Sequence, residues 1–452
     1  MFTVFIGLVT LFLIIPSFNK PLAQDEGVFL SIADGISNDR IPYLDFFDHK
    51  PPGIYFLLAT VLLFFGKNIF FIKIILLLFN ILSAFFVFLF AEKIKKGIGL
   101  LGSFLFLFSL IFFEGNYIIA EPFMVTFILF SFYFLLKYFD SDKNYYLLLA
   151  GFTSGLALLF KQTAIVNLII FLFFLLSEKR KSKDVFYYLL GVIIPWLFAF
   201  LYLIDKGALK ESINQIIVLN FTSYPREPLQ IVLNSFIETV NRTFPAWLFF
   251  IIYFFQKKSK NTVLKKMILF SIILPIPFFL VRHYPHYWIQ ILPFVAILSA
   301  AALYNFFNQR KNIIFKLIVF LIISLSVFGN YKLFVWITDN INIPKLKEQN
   351  SAKEFIDNLP NKKILTENQF TCFYFLIDKE KITKYLYITE VNDGEKAEPK
   401  TLESLKSNPD TYILWTEDLN FAYARKLQDY IIKNYKPIRK FDNLGLVVYE
   451  KP

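Results

Sequence analysis

Four clusters of ionisable residues stand next to long apolar stretches of the sequence, and their side chains could transfer protons, bind phosphate or ligate a metal. Carboxylates can act as general bases or hold a cation, arginine and lysine bind phosphate, and histidine serves as a base or a metal ligand. Charges at membrane depth are costly, so clusters that end membrane spans on one face are candidates for function. The clusters are Asp25-Glu26, Pro42-Tyr43-Leu44-Asp45-Phe46-Phe47-Asp48-His49-Lys50-Pro51-Pro52, Glu121-Pro122 and Arg282-His283-Tyr284-Pro285-His286-Tyr287.

The two acidic clusters, Asp25-Glu26 and Glu121-Pro122, also have a structural interpretation. A carboxylate in the first turn of a helix interacts favourably with the helix dipole. This explains one acid at 25–26 more readily than two acids before the apolar segment 28–36. Glu121 before Pro122 is likewise a good helix start. Both acidic clusters fall on the same side of the predicted membrane topology, which favours a shared site.

The second cluster combines a stiff backbone with charged side chains. Pro51 and Pro52 begin the following helix at its first turn, so they hold Asp48, His49 and Lys50 at one point near the lipid surface. A lysine at that point can bind a phosphate as a point charge. The alternative is a helix-capping turn with solvated charges.

The use of histidine also points to the external loops. The sequence has only three histidines, His49, His283 and His286, and none lies inside a predicted span or in the C-terminal region. Arg282 beside them can bind a phosphate through its planar guanidinium. Lys161, between two predicted spans, adds a further cation at membrane depth.

Together these residues describe a group of carboxylates, cations and imidazoles at a membrane boundary rich in aromatic residues. Such a group suits a substrate with a phosphate head and a tail that stays in lipid. The sequence has no Gly-rich phosphate loop, dinucleotide-binding fingerprint or nucleophile elbow, so no nucleotide cofactor is expected. Asp140-Ser141-Asp142 imitates a nucleotide-sugar motif, but it lies on the predicted cytoplasmic side, apart from the other candidates.

The elements that must position these residues are membrane-spanning helices. Of the 452 residues, 56% are hydrophobic, and apolar runs near the roughly 20 residues that cross a bilayer recur over the first three quarters of the chain. This excludes a soluble enzyme, and a single cysteine, Cys372, excludes a disulfide-stapled protein. We predict a polytopic α-helical membrane protein with about eleven spans, at 2–18, 69–91, 98–113, 122–138, 145–160, 164–178, 185–204, 244–256, 267–281, 287–306 and 313–331.

The basic residues predict the orientation of these spans. The net charge is +12, and the lysine clusters, such as Lys93-Ile94-Lys95-Lys96 and Lys257-Lys258, fall in alternate loops. By the positive-inside rule these loops are cytoplasmic, so the charge reports topology and not a nucleic-acid partner. We predict a multi-pass protein of the cell inner or plasma membrane with a cytoplasmic N-terminus. An uncleaved first span is favoured over a cleaved signal peptide.

Two long external loops and a C-terminal region complete the predicted organisation. The first loop, 19–68, contains the apolar stretch 53–65, which as a helix would rise only about 20 Å and is therefore predicted to be interfacial or re-entrant. The second loop, 205–243, is polar and amphipathic. The transmembrane domain is predicted at 1–340, and 341–452 is predicted to be a small extracytoplasmic α/β domain. Its predicted strands are 363–366, 412–416 and 445–449, and its helices are 351–358 and 419–434.

The order of the motifs resembles that of the GT-C glycosyltransferases, in particular the bacterial branch related to protein O-mannosyltransferases and aminoarabinose transferases (glycosyltransferase family 39-like). The resemblance covers residues 1 to about 330 and, more weakly, the C-terminal region. It rests on Asp25-Glu26, on Pro42-Tyr43-x-Asp45-x-x-Asp48-His49-Lys50-Pro51-Pro52, and on Glu121-Pro122, Lys161-Gln162 and His283-Tyr284-Pro285-His286-Tyr287 in that order.

The resemblance implies a GT-C fold and an integral-membrane transferase. The enzyme would move a sugar, a hexose or a pentose, from a polyprenyl-phosphate donor to a hydroxyl of a glycolipid or protein acceptor on the extracytoplasmic face. The implied reaction is an inverting single displacement, with membrane lipid as the surroundings of the donor.

The resemblance also implies roles for residues. The catalytic residues would be Asp25 as the general base, Glu26 beside it, and Glu121. The remaining predicted contacts are Lys50, Arg282 and Lys161 for the donor phosphate, and Asp48, His283, Tyr284, His286 and Tyr287 for the substrates. A divalent cation occurs in some relatives, which often carry an acid where this sequence has His49; here His49 and Glu121 would be its ligands.

Two other classes of function stay open at this point. A lipid-linked sugar flippase or transporter would carry charged residues within its spans along a path. The ionisable groups of this sequence lie almost entirely at span ends, in loops or in the C-terminal region. A non-catalytic membrane scaffold is the other alternative.

Overall fold

The computed structural model describes residues 15–177, 182–224, 226–256, 262–309, 342–360, 363–393, 396–416 and 424–452. The predicted span 313–331 and most of the predicted span 2–18 lie outside these residues.

The part of the chain before residue 310 is built from helices joined by short connections. The first external loop contains α2 and α3, and the second contains α10 to α12. The helices are α1 (Ile15–Phe18), α2 (Gln24–Ser37), α3 (Gly53–Phe65), α4 (Ile69–Ile94), α5 (Gly99–Phe112), α6 (Ala120–Ser141), α7 (Asn144–Phe160), α8 (Ile165–Ser177), α9 (Ser182–Asp205), α10 (Leu209–Ile213), α11 (Leu219–Thr222), α12 (Leu229–Arg242), α13 (Phe244–Phe255), α14 (Val263–Ile273), α15 (Ile276–Phe279) and α16 (Leu292–Gln309). Short 3-10 helices cover Gln162–Ala164 and Pro285–Ile291, and a π-helix covers Asn214–Val218.

Helices occur at every predicted span that the structure describes. Four helical segments in the described ranges, α4, α6, α9 and Pro285–Asn308, are long and apolar enough to cross a membrane. The predicted span 267–281 is divided into α14 and α15, because Pro275 precedes the second helix. The total of eleven spans stays a prediction. The helix predicted at 53–65 is confirmed as α3, with 13 residues, and its position at the membrane interface stays a prediction.

Small residues allow the apolar helices to approach closely. A Cβ atom on Gly151 of α7 would lie 1.9 Å from the Tyr188 carbonyl oxygen of α9, so only glycine fits at this crossing. Buried hydroxyl groups join α7 to α6 and to α9: the Ser131 and Ser154 hydroxyls lie 2.7 Å apart, and the Ser154 hydroxyl lies 2.8 Å from the Tyr188 hydroxyl. Close backbones and interhelical hydrogen bonds stabilise helix packing where water is absent.

The C-terminal region contains a five-stranded sheet with the order β2-β1-β3-β5-β4. The strand β1 pairs in parallel with β2 and β3, whereas β5 pairs antiparallel with β3 and β4. The elements are α17 (Ile343–Asp357), β1 (Lys363–Thr366), α18 (Phe373–Leu376), β2 (Glu380–Lys381), α19 (Glu390–Asp393), α20 (Ala397–Ser407), β3 (Thr411–Thr416), α21 (Arg425–Asn434), β4 (Lys436–Phe441) and β5 (Leu446–Glu450).

The three strands predicted from sequence are confirmed as β1, β3 and β5. The sequence did not predict β2 and β4, which form the two edges of the sheet. Five of the six residues of β4 are exposed, so this strand lacks the apolar alternation that reveals a half-buried strand. The predicted helix 419–434 is described only from Arg425 onward, as α21. The boundary of the C-terminal domain stays a prediction.

The C-terminal region packs directly on the first external loop. Gln349 exchanges two hydrogen bonds with the backbone of Leu22, at 3.0 and 3.1 Å. The Thr371 hydroxyl donates to the Gln24 carbonyl at 2.6 Å. A Cβ atom on Gly27 of α2 would lie 2.2 Å from the backbone nitrogen of Cys372. These contacts therefore fix the start of α2 against the C-terminal region.

We expect Gly27→Ala to separate the C-terminal region from α2, because the added methyl group meets backbone atoms that cannot move aside. Cys372 is buried and is the only cysteine, so its rate of maleimide labelling in the folded protein measures this contact. The rate should rise at least tenfold in Gly27→Ala. Gly102→Ala, where the new Cβ would lie 3.1 Å from the Ala91 side chain, is the control and should label like the parent protein. Equal labelling of all three proteins would contradict the packing described.

Candidate active site

A polar cavity of about 250 Å³ lies between the first external loop, the second external loop, the segment before α16 and the C-terminal region. Segments far apart in the sequence meet here. Its lining residues are Ala23, Gln24, Asp25, Val28, His49, Lys50, Glu114, Tyr117, Ile119, Tyr224, Arg282, Tyr284, His286, Tyr287, Tyr387, Thr389 and Val391.

Asp25 and Lys50 are the two charged groups of the cavity that make no hydrogen bond or ion pair with any residue that the structure describes. The Asp25 side chain is half-buried in the first turn of α2. Within the described ranges, its carboxylate makes no hydrogen bond or ion pair, and neither does the Lys50 ammonium. The Lys50 Nζ atom lies 4.7 Å from the centre of the Phe29 ring. A negative and a positive group therefore remain available to a bound molecule.

The ammonium form of Lys50 is stabilised by nearby acids. Burial disfavours the charged form, but Asp48 and Asp25 outweigh this effect and raise the pKa of Lys50 above its ordinary value. A cation that is desolvated and attracted by carboxylates, without contacting one, is suited to bind a phosphate.

Glu26 is placed differently from Asp25, although the two are adjacent in sequence. Its carboxylate is fully buried and accepts hydrogen bonds from Lys20 Nζ at 3.1 Å, from the Ala23 backbone at 2.8 Å and from the Ile118 backbone at 2.9 Å. Burial lowers the pKa of Lys20 to about 8, although Glu26 opposes this shift. Glu26 does not line the cavity, and its contacts hold the start of α2 against the segment that precedes α6.

Glu121 and Lys161 form a buried pair behind the cavity wall. The Lys161 ammonium contacts the Glu121 carboxylate and lies 3.8 Å from the centre of the Tyr287 ring. His286 joins the pair on the cavity side, with Nε2 3.7 Å from Glu121 and Nδ1 2.5 Å from Glu114. Glu121 and Lys161 thus support His286 and Tyr287, which line the cavity, and do not line it themselves.

Arg282 is held between two carboxylates. Its guanidinium lies 3.2 Å from Glu227 of the second external loop and 3.5 Å from Glu390 of the C-terminal region. The neighbouring His283 also pairs with Glu227, at 2.7 Å, and is not part of the cavity lining. Arg282 therefore faces the cavity with most of its charge balanced by two carboxylates. Lys50 also faces the cavity, but no carboxylate among the described residues forms an ion pair with it.

Asp48 and His49 are part of a hydrogen-bonded turn. The Asp48 carboxylate is buried and accepts from the backbone nitrogens of His49 at 2.6 Å and Lys50 at 3.3 Å. The hydroxyl of Tyr387 lies 3.4 Å from Asp48 Oδ1 and 3.2 Å from His49 Nδ1. Burial, together with the Lys50 charge, lowers the pKa of His49 well below its ordinary value, so this imidazole is neutral at physiological pH.

The residues present do not form the metal site predicted at His49 and Glu121. The Glu121 carboxylate contacts a lysine and His286, and the Nδ1 atom of His49 faces the Tyr387 hydroxyl. No group of three or more His, Cys, Asp or Glu side chains that could hold a metal ion occurs among the residues that the structure describes.

An apolar groove of about 530 Å³ lies close to the polar cavity, between α3, α6, α7 and α9. It includes Gly53, three residues after Lys50, and Phe160, the residue before Lys161. Most of its other lining residues are Phe and Leu side chains, such as Phe56 and Phe198. The chain thus places unengaged polar groups and an apolar surface side by side.

The sequence prediction missed the part of the site that comes from distant segments. Tyr224, Tyr387 and Thr389 line the cavity, and Glu390 holds Arg282. Tyr224 lies in the predicted second external loop. The sequence predicted that loop but did not single out this residue. Tyr387, Thr389 and Glu390 carry no local motif, because their role depends on how the C-terminal region packs.

We expect Glu26→Gln to lower the free energy of unfolding by about 3–5 kcal/mol, since it leaves the buried Lys20 ammonium without its partner. Asp140→Asn, which breaks an exposed pair with Lys93 at 2.8 Å, should cost less than about 1 kcal/mol. Thermal unfolding in detergent measures both effects. A Glu26→Gln protein as stable as Asp140→Asn would show that Glu26 has no structural role.

Comparison with known proteins finds a family model that matches part of the chain and solved structures with the same fold. Residues 49–203 match the family model described as dolichyl-phosphate-mannose-protein mannosyltransferase. ArnT from Cupriavidus metallidurans bound to undecaprenyl phosphate superposes with a TM-score of 0.71 at 12% identity, over 99% of this chain and 97% of that one. Its apo state gives a TM-score of 0.70 at 11% identity over the same shares. No protein in a comparison with curated sequences matches.

A further solved structure shares the fold more distantly. The archaeal oligosaccharyltransferase AglB from Archaeoglobus fulgidus, in complex with an inhibitory peptide and a dolichol-phosphate, gives a TM-score of 0.55 at 10% identity, over 99% of this chain and 74% of that one. The family model matches about a third of the chain, and the solved structures, at 10–12% identity, show that this chain has the fold of ArnT and AglB. Four helical segments of the described residues are long and apolar enough to cross a membrane.

Proposed function

We propose that the protein is an integral-membrane glycosyltransferase that moves a sugar from a polyprenyl-phosphate donor to a hydroxyl of a glycolipid or protein acceptor. The observation that carries the proposal is the pair of unengaged charges, Asp25 and Lys50, in one cavity beside an apolar groove. The family match over residues 49–203 supports it, as does the undecaprenyl phosphate bound to the similar ArnT.

In this proposal Asp25 is the general base of an inverting single displacement. The acceptor hydroxyl attacks the anomeric carbon of the sugar while Asp25 takes its proton, and the bond between that carbon and the phosphate oxygen breaks. A carboxylate without a hydrogen-bond donor or cation on it is free to take this proton, in contrast to the saturated carboxylate of Glu26. General-base assistance contributes about 10²–10⁴ in rate.

Lys50 stabilises the leaving polyprenyl phosphate. Negative charge grows on the phosphate as the bond breaks, and a fixed cation in a site shielded from water stabilises that charge strongly. Arg282 is a second cation at the same cavity, and its attraction for phosphate is reduced by Glu227 and Glu390. Lys161 acts from behind the wall, by its contacts with Glu121 and Tyr287.

In this proposal the apolar groove binds the isoprenoid chain of the donor. An isoprenoid chain whose phosphate lies at Lys50 would enter the groove at Gly53, and the aromatic side chains there would bury it. In this arrangement the cavity and the C-terminal region lie on the extracytoplasmic side and the N-terminus is cytoplasmic, as the distribution of lysines in the loops predicts.

Asp25→Asn should abolish sugar transfer, with a loss of at least 10² in rate, and leave the protein folded in the membrane. Asp34→Asn changes an acid on the same helix that pairs with Lys67 outside the cavity, so it should retain normal activity. Mass spectrometry of envelope glycolipids and glycoproteins, in a deletion strain complemented with each variant, measures the transfer. Full activity of Asp25→Asn would refute the assignment of the base.

Lys50→Met should weaken binding of undecaprenyl phosphate at least tenfold, because the phosphate loses a cation that has no ion-pair partner among the described residues. Lys67→Met, which removes a lysine paired with Asp34, is the matched control and should bind like the parent protein. Binding to the purified protein in nanodiscs is the measurement. Unchanged affinity of Lys50→Met would place the phosphate elsewhere and remove the main support for a lipid-linked donor.

A further inference from the structure

We propose that His49 contacts the transferred sugar, with its Nε2 atom accepting a hydrogen bond from a sugar hydroxyl, and that Tyr387 of the C-terminal region and Asp48 are the positioning residues that keep this atom unprotonated. The identity of the ligand rests on the proposed function. The position of the proton on the ring rests on the geometry of the contacts around Nδ1.

Two side chains from distant segments, Asp48 and Tyr387, hold the imidazole. The Tyr387 hydroxyl lies 3.4 Å from Asp48 Oδ1 and 3.2 Å from His49 Nδ1, and His49 Nδ1 itself lies 3.4 Å from Asp48 Oδ1. An ionised carboxylate is only an acceptor, so the Tyr387 hydroxyl donates to Asp48. Its oxygen is then free to accept a hydrogen bond from His49.

This order of donors determines the tautomer of His49. Both neighbours of Nδ1, the Tyr387 oxygen and the Asp48 carboxylate, act as acceptors toward the ring, so Nδ1 carries the proton. A neutral imidazole has one protonated nitrogen, and Nε2 is therefore an acceptor. Burial and the Lys50 charge keep the ring neutral.

The backbone of His49 is held as firmly as its ring. Its carbonyl oxygen accepts from the Gln162 amide at 2.9 Å and from the Asn220 amide at 2.8 Å, and its ring lies 5.4 Å from the Tyr224 ring. Groups held by several elements keep their geometry during a reaction, and such preorganisation is what a substrate contact needs.

The environment of Nε2 favours a sugar hydroxyl as its partner. His49 lines the cavity, and Nε2 has no hydrogen-bond partner in the portion of the chain that the structure describes. Lys50, the next residue, is the proposed phosphate contact, and the sugar of a lipid-linked donor is bonded to that phosphate. The neutral Nε2 atom of His49 would accept a hydrogen bond from a hydroxyl of the sugar, and it would not repel the neighbouring phosphate.

The tautomer can be tested by nuclear magnetic resonance on the full-length protein in nanodiscs with ¹⁵N-labelled histidine. The sequence has only three histidines, and the spectrum of His49→Asn assigns the signals of His49. We expect a protonated Nδ1 and an unprotonated Nε2. In Tyr387→Phe only the Asp48 carboxylate, 3.4 Å away, remains as an acceptor for Nδ1, so the fraction of the ring with a protonated Nδ1 should fall. Tyr385→Phe is the control, since Tyr385 also packs on the Phe47 ring, at 5.8 Å against 5.9 Å for Tyr387, and does not line the cavity. A protonated Nε2 in the parent protein would overturn the proposal.

The contact with the sugar is tested by transfer and by lipid binding. His49→Asn lacks an atom at the Nε2 position and should lower transfer at least tenfold, whereas His49→Gln, which can place an amide oxygen there, should retain more activity. Both variants should bind undecaprenyl phosphate, which has no sugar, within twofold of the parent protein. Normal transfer by His49→Asn, or an equal loss of lipid binding and transfer, would overturn the sugar contact.

The two proposals fail in different ways. If the parent protein itself transfers no sugar, the proposed function fails while the tautomer of His49 is still measured. If transfer occurs and His49→Asn is fully active, only the inference about His49 fails.

Discussion

A charge taken out of water must find a partner, and this constraint organises the site. Removing one partner of a buried ion pair costs several kcal/mol, so buried charges are normally matched. Glu26, Glu121 and Arg282 all follow this rule, through Lys20, Lys161 and two carboxylates. Asp25 and Lys50 line the cavity without such partners in the described structure. A bound molecule that supplies partners for these two charges would therefore gain the most binding free energy there.

The same constraint separates two adjacent acids that the sequence could not separate. Successive residues on a helix point about 100° apart, so Asp25 and Glu26 face different surroundings. The sequence predicted both as catalytic because it shows their types and not their directions. In the structure, Glu26 fixes the beginning of α2, and this placement orients Asp25 toward the cavity.

The sequence predicted those parts of the fold and the site that are determined by residues close together in the chain. Apolar runs predicted the helices, and Pro51 and Pro52 predicted the turn before α3. Lys50 and Asp25 were predicted as site residues because they stand beside such elements, and both line the cavity. Tyr387 and Glu390 were not found, since their positions depend on the packing of the C-terminal region against α2, which no nearby residue reveals. The edge strand β4 was missed for a related reason, because its exposed residues follow no apolar period.

The C-terminal region is therefore part of the site in physical terms. Its packing requires glycine at position 27, and its segment around Tyr387 closes one side of the cavity. Contacts from four parts of the chain converge on His49, which explains how a loop outside the helices can be held in one geometry.

The most direct test is a structure of the protein in a lipid nanodisc with undecaprenyl phosphate bound, determined by electron cryo-microscopy. We expect phosphate density within hydrogen-bonding distance of Lys50 Nζ and near Asp25, with the isoprenoid chain entering the groove at Gly53 and Phe160. Phosphate density at any site away from Lys50, with the cavity filled only by solvent, would contradict this expectation.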